Sequence, residues 1–286
     1  MYRNLLYVMN FITGEAIQQR CDLYIGQQSD LSFNPTIRKQ SYKWIDVDTP
    51  DMTKLKMPVT RVFCYPYVLH IKFYETVKIL KKFTTPFDLY IHNGDDAVDK
   101  EHSSTLFSIP NIKRIYAQNL NTRYSDRLIP LPIGLGNSQW NHGKLNMWRR
   151  AISQHVEKDK CIYFYCNHAT NSEVRNDCAS IMKSKGIQET SLLEVDKYIP
   201  FLSRHKYAIC PTGHGIDTHR FWECLYLKVV PIVIRTNITD YYQKWFPMIV
   251  LNKWEDLDKD SLERQYDSIS WDNYDCLDLD KLLMVI

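Results

Sequence analysis

The stretch KYAICPTGHGIDTHRFWECLYLKVVPIVIR, residues 206–235, indicates the fold class of this chain more clearly than any other part of it. Its apolar run Tyr207–Cys210 is stopped by Pro211, and a second run, rich in β-branched residues, covers Val229–Ile234. Both runs are typical of buried strands. The residues between them predict a glycine-containing turn and then a helix that ends near Lys228. A crossover of this length joins parallel strands, so the segment predicts a βαβ unit in an α/β fold.

The start of this helix predicts a site for an anion, because open α/β sheets bind ligands in the loops at the carboxyl ends of their strands. Asp217 or Thr218 is the expected N-cap. Exposed backbone N–H groups, the positive end of the helix dipole and the guanidinium of Arg220 together suit a phosphate or pyrophosphate. His219 shares the polar face of the helix with Arg220, and so does Glu223, whose carboxylate suits the hydroxyls of a ribose. The alternative is that Arg220 and Glu223 form an ordinary solvated ion pair.

Within this stretch, CPTGHGIDTHRFWECLYLKVVPIVI resembles the signature segment of the exostosin-like glycosyltransferases, glycosyltransferase family 47. That signature has an apolar strand, C-P-x-G-x-G, then D-T-x-R-F-x-E, and a second apolar strand with P-V/I-V. The resemblance implies two Rossmann-like, doubly wound domains that face a central cleft, which is the GT-B arrangement. It also implies an inverting transfer of a sugar from a UDP-sugar donor to a glycan acceptor.

The resemblance further implies where the donor binds. It places the donor diphosphate near Gly213, Gly215 and Arg220, and the nucleotide ribose on Glu223. Arg175, which follows the first strand of the second domain, is similar to an arginine of the family that contacts the diphosphate, and the alternative for it is a surface role. The predicted donor-binding residues are Arg175, Gly213, His214, Gly215, Asp217, His219, Arg220 and Glu223.

The α/β pattern extends along the rest of the chain. The charged stretch Glu157–Lys160 marks the predicted boundary between an acceptor-side Rossmann-like domain, residues 1–157, and a donor-binding one, residues 158–265. We expect residues 266–286 to cross back to the first domain, as terminal helices do in GT-B enzymes. In the first domain we predict strands at Leu5–Met9, Asp22–Ile25, Trp44–Val47, Arg61–Cys64, Phe87–Ile91, Ile112–Ala117 and Leu128–Ile133, and helices at Val68–Phe83 and Lys144–Val156.

The predicted strand Phe87–Ile91 runs directly into His92-Asn93-Gly94-Asp95-Asp96. A polar, acidic loop at the carboxyl end of a buried strand is a favourable place for chemistry. Inversion by one displacement needs a general base that takes the proton of the acceptor hydroxyl. We predict Asp95 or Asp96 for this role, with His92 and then His70 as further candidates. The alternative is a turn whose carboxylates cap the backbone.

Composition excludes several classes of protein. With 286 residues, 44% hydrophobic and 24% charged, the chain has room for one large or two modest globular domains. A net charge of +3 is too small for a domain that binds nucleic acid. The eight cysteines contain no CxxC pair, so we expect structural thiols in a reducing compartment.

Localisation is predicted from what the sequence lacks. No apolar run approaches the roughly 20 residues of a membrane span, and the start MYRNLLYVMNF has no signal-peptide core or cleavage site. We therefore expect a soluble, cytoplasmic protein, whereas the usual exostosin-like enzyme is a Golgi protein on a membrane stalk. A short chain rich in Lys, Asn and Tyr is similar to the glycan-building enzymes encoded by large DNA viruses of algae. That similarity implies the host cytoplasm and a pentose such as xylose as the sugar.

No metal or other cofactor is expected, because Arg175, Arg220 and helix-terminal N–H groups can replace a divalent cation on the leaving UDP. The Asp-x-Asp triplets of the chain are common by chance. Two other functions stay open, namely a module that binds a nucleotide or glycan without turnover and a nucleotide-dependent oxidoreductase. The missing G-x-G-x-x-G near the chain start disfavours the oxidoreductase. The oligomeric state is left open.

Overall fold

The computed structural model describes residues 9–30, 34–56 and 58–286. The protein has a mixed α/β fold with two parallel sheets, one of six strands and one of four. It divides into two compact units, which are Ile12–Trp140 and the segment Asn141–Ile286 together with the described residues before Ile12. Apart from its last residue, the predicted strand Leu5–Met9 lies outside the described residues.

The sheet of the 12–140 unit contains six parallel strands, which are β1 Leu23–Gly26, β2 Trp44–Asp46, β3 Arg61–Cys64, β4 Phe87–Ile91, β5 Ile112–Ala117 and β6 Leu128–Pro130. Their order in the sheet is β2-β1-β3-β4-β5-β6. Because β2 and β3 flank β1 on opposite sides, the winding reverses there, as predicted for a doubly wound sheet. The last strand is shorter than predicted. Leu131 N–H still reaches the Ala117 carbonyl, but Pro132 has no N–H with which to continue the ladder.

Five α-helices accompany this sheet in the described part of the chain. Their bounds are α1 Gly14–Gln19, α2 Pro35–Arg38, α3 Pro66–Ile71, α4 Phe73–Leu80 and α5 Lys100–Phe107. The prediction of one continuous helix over Val68–Phe83 is wrong. Lys72, with φ −134° and ψ 39°, leaves the helical conformation and separates α3 from α4. Its ammonium lies 2.8 Å from the Asp48 carboxylate, so the side chain is held by an ion pair.

The second sheet has a different winding from the one predicted. Its four parallel strands stand in the order β10-β9-β8-β7, with bounds β7 Lys160–Tyr163, β8 His205–Ile209, β9 Val230–Ile234 and β10 Ile249–Leu251. Because neighbouring strands are also consecutive in sequence, each crossover steps in the same direction. The expected doubly wound order is therefore wrong for these four strands, and only the parallel α/β character is confirmed.

Seven α-helices belong to the second unit in the described chain. They are α6 Leu145–Ser153, α7 Ser172–Ser184, α8 Val195–Ser203, α9 His219–Tyr226, α10 Asn237–Tyr242, α11 Lys259–Gln265 and α12 Leu279–Val285. Asn171 caps α7, because its side chain accepts from Val174 N–H. Among the helices described, none has both the length and the apolar character that a bilayer crossing requires.

The core of the second unit lies on both faces of β8 and β9, whose residues are almost all buried. This is the expected environment for interior strands of a parallel sheet. Trp254 and Leu262 pack from the end of the chain onto the cluster around Phe164, Met182 and Tyr207. All eight cysteines lie in the described chain without disulfides, and seven are buried, as expected of structural thiols.

The division between the units lies at residues 140 and 141, whereas the charged stretch led us to expect it at 157 and 158. Helix α6 accounts for the difference, because it packs against α8 of the second unit. Its Trp148 is fully buried and donates from Nε1 to the His142 carbonyl over 2.9 Å. Truncating a buried Trp costs about 3–5 kcal/mol, so this side chain holds α6 firmly in place.

The end of the chain also belongs to the second unit, together with Asn10. Asn10 N–H donates to the Asp278 carboxylate, and Leu279 N–H donates to the Asn10 carbonyl, both over 2.7 Å. Tyr226 at the end of α9 donates its hydroxyl to the Leu277 carbonyl, also over 2.7 Å. Residues 266–286, which we expected to cross to the first domain, are thus anchored within the unit that carries β7–β10.

We expect the stability of the fold to rise with pH through a buried histidine. His205 is 4% exposed and its Nδ1 lies 2.9 Å from the Phe201 carbonyl. Burial lowers the pKa of His205. The unfolded chain therefore binds more protons below about pH 6.5, and the unfolding free energy should fall there by up to about 1.4 kcal/mol per pH unit.

Urea unfolding between pH 5 and pH 8 measures this slope. The variant His205→Gln should lose part of it, whereas His155→Gln, at an exposed histidine, should retain the whole slope. An unchanged slope in His205→Gln would show that His205 does not contribute.

Candidate functional site

Two loops lie side by side at the carboxyl ends of β7 and β8, because these strands are parallel and paired with Tyr163 beside Ala208. The loop after β7 leads into α7, which carries Arg175. The loop after β8 leads into α9, which carries Arg220. The structure therefore brings together predicted donor-binding residues that are 45 positions apart in the sequence (220 minus 175).

Arg175 is held by backbone carbonyls from both loops. Its Nε donates to the Thr212 carbonyl over 2.9 Å, and its Nη1 donates to the Asn167 carbonyl over 2.8 Å. In the described part of the chain, no carboxylate forms a salt bridge with this guanidinium. Burial lowers the pKa of Arg175, and the like charge of Arg220 lowers it further. A half-buried positive charge held only by neutral oxygens favours a bound anion.

Gly213 is required by the close approach of this guanidinium. A Cβ at position 213 would lie 2.9 Å from Nη2 of Arg175. The Gly213 carbonyl accepts from Asn171 Nδ2 over 3.0 Å, and its N–H donates to the Gly215 carbonyl over 3.1 Å. The glycine turn therefore fits closely around Arg175. His214 in the same turn is exposed.

Arg220 lies between two aromatic rings. Its guanidinium carbon is 4.9 Å from the ring centroids of both Tyr163 and Tyr198, and Nη1 donates to the Tyr165 carbonyl over 3.2 Å. Burial lowers the pKa of Arg220, but Tyr198, Tyr163 and Glu223 more than offset this and raise it well above its usual value. The guanidinium is therefore a fixed positive charge with a rigid orientation.

The alternative of a solvated ion pair is wrong for Arg220 and Glu223. Their side chains are 21% and 7% exposed, and Nε of Arg220 lies 3.4 Å from Oε2 of Glu223. Tyr198 also donates its hydroxyl to Oε2. Binding of a ribose by Glu223 would therefore have to use Oε1 or displace the Tyr198 hydroxyl.

Asp217 has a structural role in the described geometry. It is 6% exposed, and its two carboxylate oxygens accept from the indole Nε1 of Trp222 at 2.9 and 3.0 Å. The N-cap of α9 is Thr218, whose side chain makes no capping hydrogen bond. The first N–H groups of α9 therefore lack this side-chain cap, which suits the predicted anion.

A pair of histidines adjoins Glu223, and only one of them was predicted. The rings of His142 and His219 are 5.5 Å apart between centroids. Burial lowers the pKa of His142 and the neighbouring His219 lowers it further, while Glu223 acts in the opposite direction. Sequence reasoning missed His142 because it precedes α6, far along the chain from α9, and no spacing connects the two. Tyr163 and Tyr198 were missed as partners of Arg220 for the same reason.

A second polar cluster lies in the 12–140 unit, at the carboxyl ends of β4, β5 and β6. Asn93 is at its centre and adopts φ 67°, a left-handed conformation that Asn tolerates. Its N–H donates to Gln118 Oε1 and its Nδ2 to Gln18 Oε1, both over 3.1 Å, and its Oδ1 accepts from Asn137 Nδ2 over 3.0 Å. The loops after three neighbouring strands therefore meet at Asn93.

The four predicted candidates for the general base are placed very differently. His92 is 1% exposed; its Nε2 donates to the Pro132 carbonyl and its Nδ1 accepts from Asn93 N–H, both over 2.8 Å. Both ring nitrogens are thus used inside the protein, and His92 is not positioned to meet a substrate. Asp95 is exposed and Asp96 is partly exposed, so their carboxylates are accessible. His70 is also exposed, with Nε2 3.0 Å from the Ala97 carbonyl.

Sequence reasoning missed one carboxylate in this cluster. Glu15 is 8% exposed, and its Oε2 accepts from Ser138 N–H over 3.1 Å. Burial raises the pKa of Glu15, but hydrogen bonds from Thr36 and Ser138 outweigh burial and leave the pKa below its usual value. The sequence signal that could have drawn attention to Glu15 is the helix start at Thr13. Thr13 caps α1 by accepting from Ala16 N–H over 3.0 Å, and Glu15 lies in the acidic first turn that follows.

No protein-family model matches the chain, and no curated protein matches it either. The resemblance to exostosin-like glycosyltransferases therefore stays a prediction from residues 206–235. The chief features of the site are two fixed guanidiniums, a glycine turn and the start of α9, whose N-cap side chain makes no capping hydrogen bond.

We expect Asp217→Ala to destabilise the second unit, because it leaves the buried Nε1 of Trp222 without an acceptor. Such a loss costs about 1–3 kcal/mol. Asp217→Asn keeps an oxygen acceptor and should lose less. Asp177→Ala, at an exposed position on α7, is the control and should change stability by less than about 0.5 kcal/mol. Urea unfolding measures all three, and an equal effect of Asp217→Ala and Asp177→Ala would contradict the assigned role.

Proposed function

We propose that this protein is a metal-independent, inverting glycosyltransferase that transfers a sugar from a UDP-sugar to a glycan acceptor. One observation carries the proposal: Arg175 and Arg220, from two different helices, reach adjoining loops at the carboxyl ends of paired strands. Arg175 has no carboxylate partner within the described chain. A diphosphate supplies the negative charge that this arrangement lacks and fits the glycine turn and the start of α9.

The chemistry of the proposed donor site follows from its rigidity. When the bond between sugar and UDP breaks, negative charge develops on the leaving diphosphate. Guanidiniums that are already fixed stabilise that charge without reorganising during the reaction. Arg175 is fixed by two carbonyl oxygens and Arg220 by two aromatic rings and Tyr165. Fixed cations of this kind can replace a divalent metal ion.

The proposed general base is Asp95 or Asp96, because both carboxylates are accessible whereas His92 is buried and fully engaged. Inversion by one displacement requires a base that takes the proton of the acceptor hydroxyl. A GT-B arrangement of the two units, cytoplasmic localisation and a pentose such as xylose as the transferred sugar belong to the same proposal. These parts of the proposal rest on the resemblance of residues 206–235 to the signature segment of the exostosin-like glycosyltransferases.

The donor site is tested by calorimetric titration with UDP. We expect Arg175→Ala and Arg220→Ala each to weaken UDP binding at least about tenfold, since each removes a charge-assisted contact of at least about 1.4 kcal/mol. Arg264→Ala, at an exposed arginine of α11, should leave the affinity unchanged. Circular dichroism checks that the variants are folded. Unchanged affinity in both site variants would refute the donor site.

The general base is tested by the release of UDP from a panel of UDP-sugars. We expect Asp95→Asn or Asp96→Asn to slow turnover at least about 100-fold while UDP affinity survives, because only proton transfer is lost. Asp126→Asn, at an exposed aspartate of the same unit, is the control. Full turnover in both single variants would discard the assignment. A wild-type protein that binds UDP but turns over no donor would instead be a binding module.

A further inference from the structure

Three side chains with different donor atoms meet beside the loop that follows β7. Sγ of Cys166 lies 3.9 Å from Nε2 of His168 and 3.7 Å from Oε1 of Glu189. Nε2 of His168 lies 3.2 and 3.1 Å from the two carboxylate oxygens of Glu189. A thiol, an imidazole and a carboxylate thus point at one another, and all three could be ligands of one cation.

The spacing of these atoms matches the coordination shell of zinc. Zinc binds thiolate sulfur at about 2.3 Å, and imidazole nitrogen and carboxylate oxygen at about 2.0–2.2 Å. Tetrahedral angles then separate the ligand atoms by about 3.4–3.6 Å. The separations here, 3.1 to 3.9 Å, bracket those values. An ion fits between the three atoms after shifts of a few tenths of an ångström.

The surroundings of His168 resemble those of a metal ligand. Its Nδ1 lies 2.7 Å from Oδ1 of Asn176, so the ring donates a proton there and directs Nε2 toward Glu189. In the neutral ring Nε2 is an acceptor, and it faces the carboxylate oxygens of Glu189, which are acceptors too. A cation between Nε2 and these oxygens is needed to offset their mutual repulsion. Metal-bound histidines are commonly oriented in this way by a hydrogen bond from the other ring nitrogen. The alternative cation is a proton, which would make the pair an ordinary salt bridge.

We propose that Cys166, His168 and Glu189 form a binding site for Zn²⁺, with a fourth position open to water. Binding releases the proton of the Cys166 thiol, and one thiolate and one carboxylate then balance the charge of the ion, so the occupied site is neutral. The mixed sulfur, nitrogen and oxygen ligands suit zinc better than magnesium or calcium. The site was missed in the sequence because positions 166, 168 and 189 follow no recognised zinc spacing.

The ion has a structural role in this proposal, apart from sugar transfer. Asn167 lies between two of the ligands, and its carbonyl accepts from Nη1 of Arg175. Zinc would therefore brace the loop that positions this guanidinium. The site is independent of the identity of the donor nucleotide, and zinc binding can be measured whether or not the protein is a transferase.

The test uses the full-length chain, stripped of metal with a chelator under reducing conditions and titrated with Zn²⁺ against a chromophoric competitor. We expect one Zn²⁺ per chain with a dissociation constant below about 1 µM, and a higher melting temperature with zinc. Substitution by Co²⁺ should give the thiolate-to-cobalt charge-transfer absorption that reports a bound Cys166. Ligand variants His168→Gln and Glu189→Gln lie at the partly exposed edge of the site, which limits their effect on folding.

Both ligand variants should weaken Zn²⁺ binding at least about 100-fold, and Asn176→Ala should weaken it about tenfold through the lost hydrogen bond to His168. The matched controls His155→Gln and Glu173→Gln, at exposed positions, should bind zinc like the wild type. Absence of stoichiometric zinc binding would overturn the proposal. So would unchanged affinity in both ligand variants, or a cobalt complex without the thiolate band.

Discussion

The candidate site depends on how the guanidinium of Arg175 connects the ends of two neighbouring strands. It binds the Asn167 carbonyl after β7 and the Thr212 carbonyl after β8, so one side chain fixes two loops that the sheet only brings near each other. Gly213 makes this possible, because any side chain there would meet the guanidinium. The proposed donor site and the proposed Zn²⁺ site of the second unit both use residues of these two loops.

Holding the guanidinium of Arg175 half-buried costs free energy, because burial and the charge of Arg220 both disfavour its charged form. This cost indicates a functional role for Arg175. A half-buried guanidinium normally pairs with a carboxylate, yet within the described chain Arg175 has none, and its neighbour Arg220 adds a like charge. Arg220 is stabilised differently, by two tyrosine rings and by Glu223. The two cations lie near the start of α9, where the N-cap side chain of Thr218 makes no capping hydrogen bond. Sites that bind phosphate are built in this way.

The sequence predicted most of the strands and the helix that carries Arg220, but not the contacts that the predicted donor-binding residues make. Strands such as β4 and β5 were identified because apolar runs with clear polar ends are a local signal. The winding of the second sheet was not, since strand order depends on packing between distant segments. His142, Tyr198 and Glu189 were missed for a related reason, because each acts through a contact that no spacing in the chain records. The sequence also did not predict that the carboxylate of Asp217 accepts from the indole of Trp222.

The contacts of Asn10 with Asp278 and Leu279 have a consequence for biosynthesis. The strands of the 12–140 unit come from one continuous stretch, so that unit can fold while the ribosome is still translating the remainder. The other unit includes Asn10, whose partner Asp278 lies 268 positions later. Asn10 can therefore form these contacts only after Asp278 and Leu279 have been synthesised, so that unit is completed later than the 12–140 unit.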